Sequence, residues 1–340
     1  MALAVAAFAL VAASSTLLLA RVGQLDQVLH RLEHASTELL ALAVAFEALS
    51  FAGYVALTRF VFGPASPRVS WSVSLDITLA GVVATRLVTA GGIGGIALTT
   101  WALRAAGLDG RSAAVRLATF LAVLYAVFFG ALVVVGTALA AGALHGAPLG
   151  LALAGIAIGT LIIALALCAL LVPANIEHRA SGAAQNGGRL ARLASRAAPA
   201  PAVAREAIAL ALAIVRRRPS ALVGALAWWG FDIAVLWTTF TMFGAPPAIG
   251  VLVLCYFLGQ VAQVIPWPGG IGPVEGGMIA AFAACDVPVA LAVVAVLSYQ
   301  AVSTWLPVVP GAWAYVRLRQ TVTEWRNQSS LGGAALPLSP

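Results

Sequence analysis

Five ionisable side chains interrupt otherwise apolar stretches of the sequence: Glu47, Asp76, Arg86, Asp232 and Glu275. Charge in an apolar environment is costly, so residues of this kind pair with each other, line a wet cavity or contact a charged ligand. Two interpretations of Arg86 stay open: contact with an anionic group, and a structural ion pair with any of these carboxylates except Glu275. The presence of these side chains in apolar stretches predicts a site that binds a charged group. No catalytic residue is predicted.

Two glycine-rich stretches break apolar runs at points where a membrane helix would continue. The first is Gly91-Gly92-Ile93-Gly94-Gly95, and the second is 266–275, which reads Pro-Trp-Pro-Gly-Gly-Ile-Gly-Pro-Val-Glu. Irregular backbone is tolerated at membrane depth only where it is buried in protein or lines a polar cavity. Each break would begin a new helix, near Gly95 and at Pro273, and the free N–H groups of a helix start favour an anion such as phosphate.

Polar side chains close to the second break have two interpretations each. Glu275 stands at about the third position of a helix that begins with proline, where a carboxylate caps backbone N–H groups; it could also contact a headgroup or a proton. Gln260 and Gln263 approach the break, and Tyr299 and Gln300 face it from the next apolar run if the two pack together. Such residues either contact substrate or hydrogen-bond helices to each other.

The predicted substrate-binding residues come from both breaks and from the apolar runs beside them. They are Arg86, Gly91, Gly92, Gly94, Gly95, Asp232, Gln263, Pro268, Gly269, Gly270, Gly272, Glu275 and Tyr299.

The amino-acid composition indicates a membrane protein. The 340 residues are 62% hydrophobic and 9% charged, far from the roughly 25% charged residues of soluble domains. The net charge of +7 comes from arginines between apolar runs, which the positive-inside rule and anionic lipids explain without nucleic acid. We predict an all-α polytopic membrane protein with about six full spans and two glycine-broken re-entrant hairpins. The spans are 1–20, 39–62, 113–143, 149–172, 221–243 and 287–310, and the hairpins are 71–103 and 250–284.

The order of these elements predicts two inverted repeats, 1–148 and 149–319, followed by a polar tail at 320–340. The arginine-rich loop 175–219 belongs in the cytoplasm. Counting crossings from it places both termini in the cytoplasm and makes the hairpins enter from opposite sides. Many secondary transporters share this organisation and bind substrate near the midplane. The abundance of alanine and the use of arginine without lysine suggest a bacterial plasma membrane.

The segment 266–275 resembles the Pro-x-Pro-Gly-Gly-x-Gly-x-x-Glu pattern of the flippase-like family that includes the transmembrane region of lysylphosphatidylglycerol synthases, also called multiple peptide resistance factors. Gly91 to Gly95, with Arg104 following, resembles the family's first glycine motif, but Ala90 and Ile96 stand near where a proline and an acidic residue often occur. The resemblance covers nearly the whole chain. It implies movement of a lipid between leaflets, with the headgroup in a polar cavity. Lipid synthesis is not expected, because the segment after Arg319 is too short for the aminoacyl-transferase domain.

The expected function is that of a flippase-like transporter for an anionic or lipid-linked headgroup. The alternatives are a membrane glycosyltransferase or accessory subunit acting on polyprenyl-phosphate lipids, and a small-solute secondary transporter. No cofactor or metal is predicted, because His30 and His34 have no organised third ligand. The expected partners are membrane lipids with anionic headgroups, and a homo-oligomer stays open.

Overall fold

The computed structural model of the protein describes residues 36–87, 93–171, 199–264 and 272–333. All regular structure in these ranges is helical, with no strand. The α-helices are α1 (Thr37–Phe62), α2 (Trp71–Leu87), α3 (Ile93–Ala105), α4 (Gly110–Ala140), α5 (Leu149–Cys168), α6 (Pro199–Arg217), α7 (Pro219–Phe243), α8 (Ile249–Val261), α9 (Pro273–Ala284), α10 (Val289–Gln300) and α11 (Val308–Gly333).

Five helical segments of the described ranges are long and apolar enough to cross a membrane. They are Thr37–Ala65, Gly110–Ala140, Leu149–Leu171, Pro219–Phe243 and Val289–Gln328. They coincide with the second to sixth predicted spans, so the protein is an all-α polytopic membrane protein. The predicted first span, 1–20, lies outside the described residues.

Helices α1 and α7 form the centre of the bundle and pack antiparallel along most of their lengths. Gly53 of α1 lies against Gly224 of α7 so closely that a Cβ atom on Gly53 would be 2.7 Å from the Gly224 carbonyl oxygen. Further along the pair, Ser50 Oγ donates to the Trp228 carbonyl oxygen at 2.8 Å. This contact brings the middles of two long apolar helices together and buries a hydroxyl with its partner.

Helices α4 and α5 pack as an antiparallel hairpin through small residues. A Cβ atom on Gly136 would be 2.9 Å from the Ala152 carbonyl oxygen, and one on Gly159 would be 2.7 Å from the Phe129 carbonyl oxygen. The start of α4 is fixed by Asp109, whose carboxylate accepts from two backbone N–H groups. Hydrogen bonds from Ser112 hold the pKa of Asp109 below its ordinary value.

Two pairs of shorter helices lie in the ranges of the predicted re-entrant hairpins. α2 and α3 pack antiparallel at Gly95, where an added Cβ atom would be 2.2 Å from Thr85 Oγ1 and 2.8 Å from the Gly81 carbonyl oxygen. α8 and α9 pack antiparallel in the same way, with Gly259 against Met278. With 13 and 12 residues, α8 and α9 reach about 20 and 18 Å, less than the roughly 30 Å of a hydrocarbon core.

The first hairpin is attached to the last helix of the chain. A Cβ atom on Gly311 of α11 would be 2.8 Å from the Leu79 carbonyl oxygen of α2, and Arg317 forms an ion pair with Asp76. Asp76 was one of the carboxylates considered as a partner of Arg86. The structure instead pairs it with an arginine 241 residues further along the chain.

The predicted arginine-rich loop, 175–219, contains α6, which lies against α4. Thr119 Oγ1 of α4 donates to the Ala207 carbonyl oxygen at 3.3 Å, and Arg111 pairs with Glu206 at 2.8 Å. Residues 172–198 lie outside the described ranges. The last predicted span consists of α10, a π-helical turn over Ala301–Trp305 and the start of α11, which continues through the predicted polar tail as far as Gly333.

Candidate functional site

The middle of α7 carries a buried carboxylate that two tyrosines hold. Asp232 exposes 6% of its surface. Its Oδ2 atom accepts a hydrogen bond from Tyr299 of α10 at 2.7 Å and another from Tyr256 of α8. Two hydroxyl donors on one oxygen stabilise a carboxylate charge that apolar surroundings would disfavour. Asp232 thereby connects three helices at the centre of the protein.

A chain of amides extends from this carboxylate towards the second break. Gln260 Nε2 donates to the Tyr299 hydroxyl oxygen at 3.5 Å, and Gln263 Nε2 donates to Gln260 Oε1. Tyr256, Gln260 and Gln263 follow the spacing of one helical face. Every donor in the chain points towards Asp232, and such oriented chains strengthen each member in a low-dielectric interior. Gln263, at the end of α8, is exposed.

The structure therefore brings together three of the predicted site residues, Asp232, Gln263 and Tyr299. Tyr256, which completes the network, was not predicted. Its signal in the sequence was a hydroxyl four residues before Gln260 in an aliphatic run, the spacing that places two side chains on one helical face.

Glu275 has the structural role that its position predicts. Gly272 precedes α9 with a φ of 131°, which favours glycine, and Pro273 begins the helix. Glu275 Oε2 accepts from the Gly272 backbone N–H at 2.6 Å. The other oxygen, Oε1, is buried and has no hydrogen-bond partner among the residues that the structure describes. The side chain thus caps the helix with one oxygen and retains one acceptor beside the break.

The first break is bordered in a comparable way. α3 begins at Ile93, so the backbone of Gly94 and Gly95 belongs to its first turn. Arg86 stands on the last turn of α2.

No ligand set for a metal was predicted, and in the ranges described here no three His, Cys, Asp or Glu side chains form a group that could hold a metal ion.

Five predicted site residues lie outside the described residues. They are Gly91, Gly92, Pro268, Gly269 and Gly270. The side chain of Arg86 is likewise not described, so its two interpretations both stay open. The binding roles assigned to all predicted site residues remain predictions.

The family model of the lysylphosphatidylglycerol synthase TM region matches residues 1–311. No curated protein matches the chain. The match covers both hairpins, the network around Asp232, four complete spans and the fifth span as far as residue 311, near the start of α11. The chain therefore belongs to the family of the lysylphosphatidylglycerol synthase transmembrane region.

Proposed function

We propose that the protein is a flippase-like transporter that moves an anionic or lipid-linked headgroup between leaflets through a polar path near the midplane. The observation that carries this proposal is the hydrogen-bonded chain that runs from the buried Asp232 to the exposed Gln263. A membrane protein that needed only stability would fill this space with apolar side chains, because each polar group there must find a partner. Polar groups that lead from the centre of the bundle to a break in a helix suit the passage of a headgroup.

The helix starts beside the two breaks support an anionic substrate. α3 begins at Ile93 and α9 at Pro273. A helix start presents unpaired N–H groups and a partial positive charge, which stabilise phosphate and similar anions. Arg86, at the end of α2, supplies a full positive charge next to the first break. A phosphate-bearing headgroup fits these features better than a neutral sugar does.

The packing of the hairpins supports the two inverted repeats, 1–148 and 149–319. α2, in the first half, packs on α11, and α8, in the second half, packs on α4. The second spans of the two halves, α1 and α7, pack antiparallel, as helices related by an axis in the membrane plane would. The hairpin of each half therefore packs against a helix of the other half. A movement of one half relative to the other would open the path on one side of the membrane and close it on the other, as alternating access requires.

The arginines support the predicted location in a bacterial plasma membrane with both termini in the cytoplasm. Arg216, Arg217 and Arg218 follow one another where α6 meets α7, and all three are exposed. A cluster of this kind is attracted to the anionic headgroups of the inner leaflet.

The proposal is tested by lipid movement in liposomes. The protein is reconstituted with headgroup-labelled phosphatidylglycerol, and labelled lipid is removed from the outer leaflet by a membrane-impermeant reagent. We expect the wild type to exchange label between leaflets, and Arg86→Ala and Glu275→Gln to slow this exchange at least about tenfold if each loses one charge-assisted contact.

Matched variants control for loss of charge elsewhere. Arg104 and Glu206 are exposed, and Arg104→Ala and Glu206→Gln should exchange lipid at the wild-type rate. A wild-type rate no faster than that of protein-free liposomes would reject the proposed function. Unchanged rates in both site variants would reject the proposed site.

A further inference from the structure

The turn that follows α10 carries three buried polar side chains whose hydrogen-bonding capacity is not used. Gln300 Nε2, Ser303 Oγ and Thr304 Oγ1 have no hydrogen-bond partner in the part of the chain that the structure describes. The three residues expose only 5%, 6% and 6% of their surfaces. Unpaired buried donors are unfavourable, so a cluster of three calls for a ligand that supplies acceptors.

The local backbone places the three side chains together. Ser303 and Thr304 lie in the π-helical turn Ala301–Trp305, directly after Gln300. Residues three and four apart in a helix are neighbours on its surface, so Gln300 adjoins the other two. Single π-helical turns within α-helices occur frequently at functional sites. The turn therefore presents one amide and two hydroxyls on a single face.

Packing places this face at the centre of the bundle. α10 runs antiparallel to α7, since Phe243 clusters with Val294 and Tyr299 reaches Asp232. Ser303 lies one turn beyond Tyr299, and the π-helical turn contacts both α7 and α1. The π-helical turn thus begins within one helical turn of Tyr299, a member of the polar network around Asp232.

The first hairpin approaches the same region. α2 and α11 run antiparallel, because Arg317 pairs with Asp76 while Gly311 lies against Val83. Continuing in that direction, the last turn of α2 approaches the start of α11, which follows the π-helical turn. Arg86, three residues after Val83, stands on that last turn.

We propose that Gln300, Ser303 and Thr304 form a subsite that binds the phosphate group of the transported headgroup. This inference rests on the proposed function and identifies atoms that contact its substrate. An amide and two hydroxyls donate hydrogen bonds, and phosphate oxygens accept them. Neutral donors can be buried without the cost of a buried charge. The neighbouring carboxylate of Asp232 repels phosphate less because Tyr256 and Tyr299 bind it.

The transport experiment uses variants that remove donors and keep the shape of the side chain. Thr304→Val and Gln300→Leu should slow exchange of headgroup-labelled phosphatidylglycerol about tenfold each, as expected for a lost hydrogen bond to a charged group. Their melting temperatures should equal or exceed that of the wild type, because an apolar group replaces an unpaired polar one. Thr238→Val is the matched control, since Thr238 is buried and its hydroxyl already donates to Ala234.

A binding arm separates this inference from the proposed function. Melting temperatures in detergent are measured with a short-chain phosphatidylglycerol, with inorganic phosphate and with the corresponding diacylglycerol. The phosphatidylglycerol alone should stabilise the wild type, and Thr304→Val should lose most of that shift. If the wild type binds in this way but moves no lipid, the subsite stands and the proposed function fails.

Two results would overturn the subsite. The first is wild-type lipid exchange and wild-type stabilisation in both Thr304→Val and Gln300→Leu, which would show that the unpaired atoms contact no substrate. The second is an equal shift with inorganic phosphate, which would assign the cluster to a free anion instead of a headgroup.

Discussion

At the scale of single residues, Glu275 has a structural role in the helix cap and a proposed role in binding. One carboxylate oxygen receives the Gly272 N–H, so the cap that the sequence predicts is present. The other oxygen is buried without a hydrogen-bond partner in the described ranges. A cap alone needs one acceptor, which an amide provides as well as a carboxylate. Substitutions at this position therefore separate the two roles.

Glu275→Ala removes the cap, and Glu275→Gln keeps an acceptor but removes the charge. We expect the alanine variant to lose about 1 kcal/mol of stability, the usual effect of losing a helix cap. The glutamine variant should unfold within about 0.5 kcal/mol of the wild type. Thermal unfolding in detergent, followed by circular dichroism, measures both. Equal destabilisation by the two substitutions would mean that the charge itself holds the helix start.

Residue identity alone did not reveal which side chains meet. Asp232, Gln263 and Tyr299 could be chosen from the sequence because polar groups in apolar runs are unusual. Their connection, with Gln260 between Gln263 and Tyr299, depends on how α7, α8 and α10 pack, which periodicity does not encode. The ion pair between Asp76 and Arg317 was hidden for the same reason, since it joins residues 241 positions apart.

Among helices, glycine determines how closely the central elements approach. At Gly53 an added Cβ atom would lie 2.7 Å from Ala227 Cβ and 2.8 Å from the Trp228 backbone nitrogen. Backbone atoms at these distances cannot move without shifting a helix. Gly230, on the same helix as Trp228, has no atom within 4 Å of the corresponding position. The two glycines form a matched pair for testing the contact between α1 and α7.

Gly53→Ala should lower the stability of the protein by about 1–3 kcal/mol, the typical effect of overpacking. Gly230→Ala should leave stability unchanged or raise it by up to about 1 kcal/mol, because alanine favours helix more than glycine does. Unfolding midpoints in the same detergent measure the difference. Equal midpoints for the two variants would show that α1 and α7 are less tightly packed than the structure indicates.

Helices were predicted well where length and composition decide them. The second to sixth spans appear because long apolar runs must form helices in lipid. The π-helical turn at Ala301–Trp305 was not predicted, since 287–310 was interpreted as one uninterrupted span although Pro307 follows the turn by two residues. The helical continuation of α11 beyond residue 320 was also not predicted. The segment is polar, and a polar sequence does not indicate which of its residues pack against the rest of the protein. There Val322 and Trp325 are buried, which holds the helix to the bundle.

For the whole molecule, the proposed inverted repeats require the two hairpins to enter the membrane from opposite sides. Ser70 and Arg104 flank the first hairpin, and Ala245 and Ala284 flank the second; all four are exposed. An antiparallel helix pair returns the chain to the side from which it came. Each pair of flanking residues should therefore face one compartment, and the two pairs should face opposite ones.

Single cysteines at these four positions test this arrangement in a variant whose native Cys168, Cys255 and Cys285 are replaced by serine or alanine. A membrane-impermeant maleimide applied to intact cells should label Ala245→Cys and Ala284→Cys. Ser70→Cys and Arg104→Cys should react only after the cells are opened, because the first hairpin is expected to face the cytoplasm. Labelling of all four from one side would exclude inverted repeats. A difference within either pair would mean that the broken helices together make a single crossing, and the path from Asp232 to Gln263 would then lie inside an ordinary span.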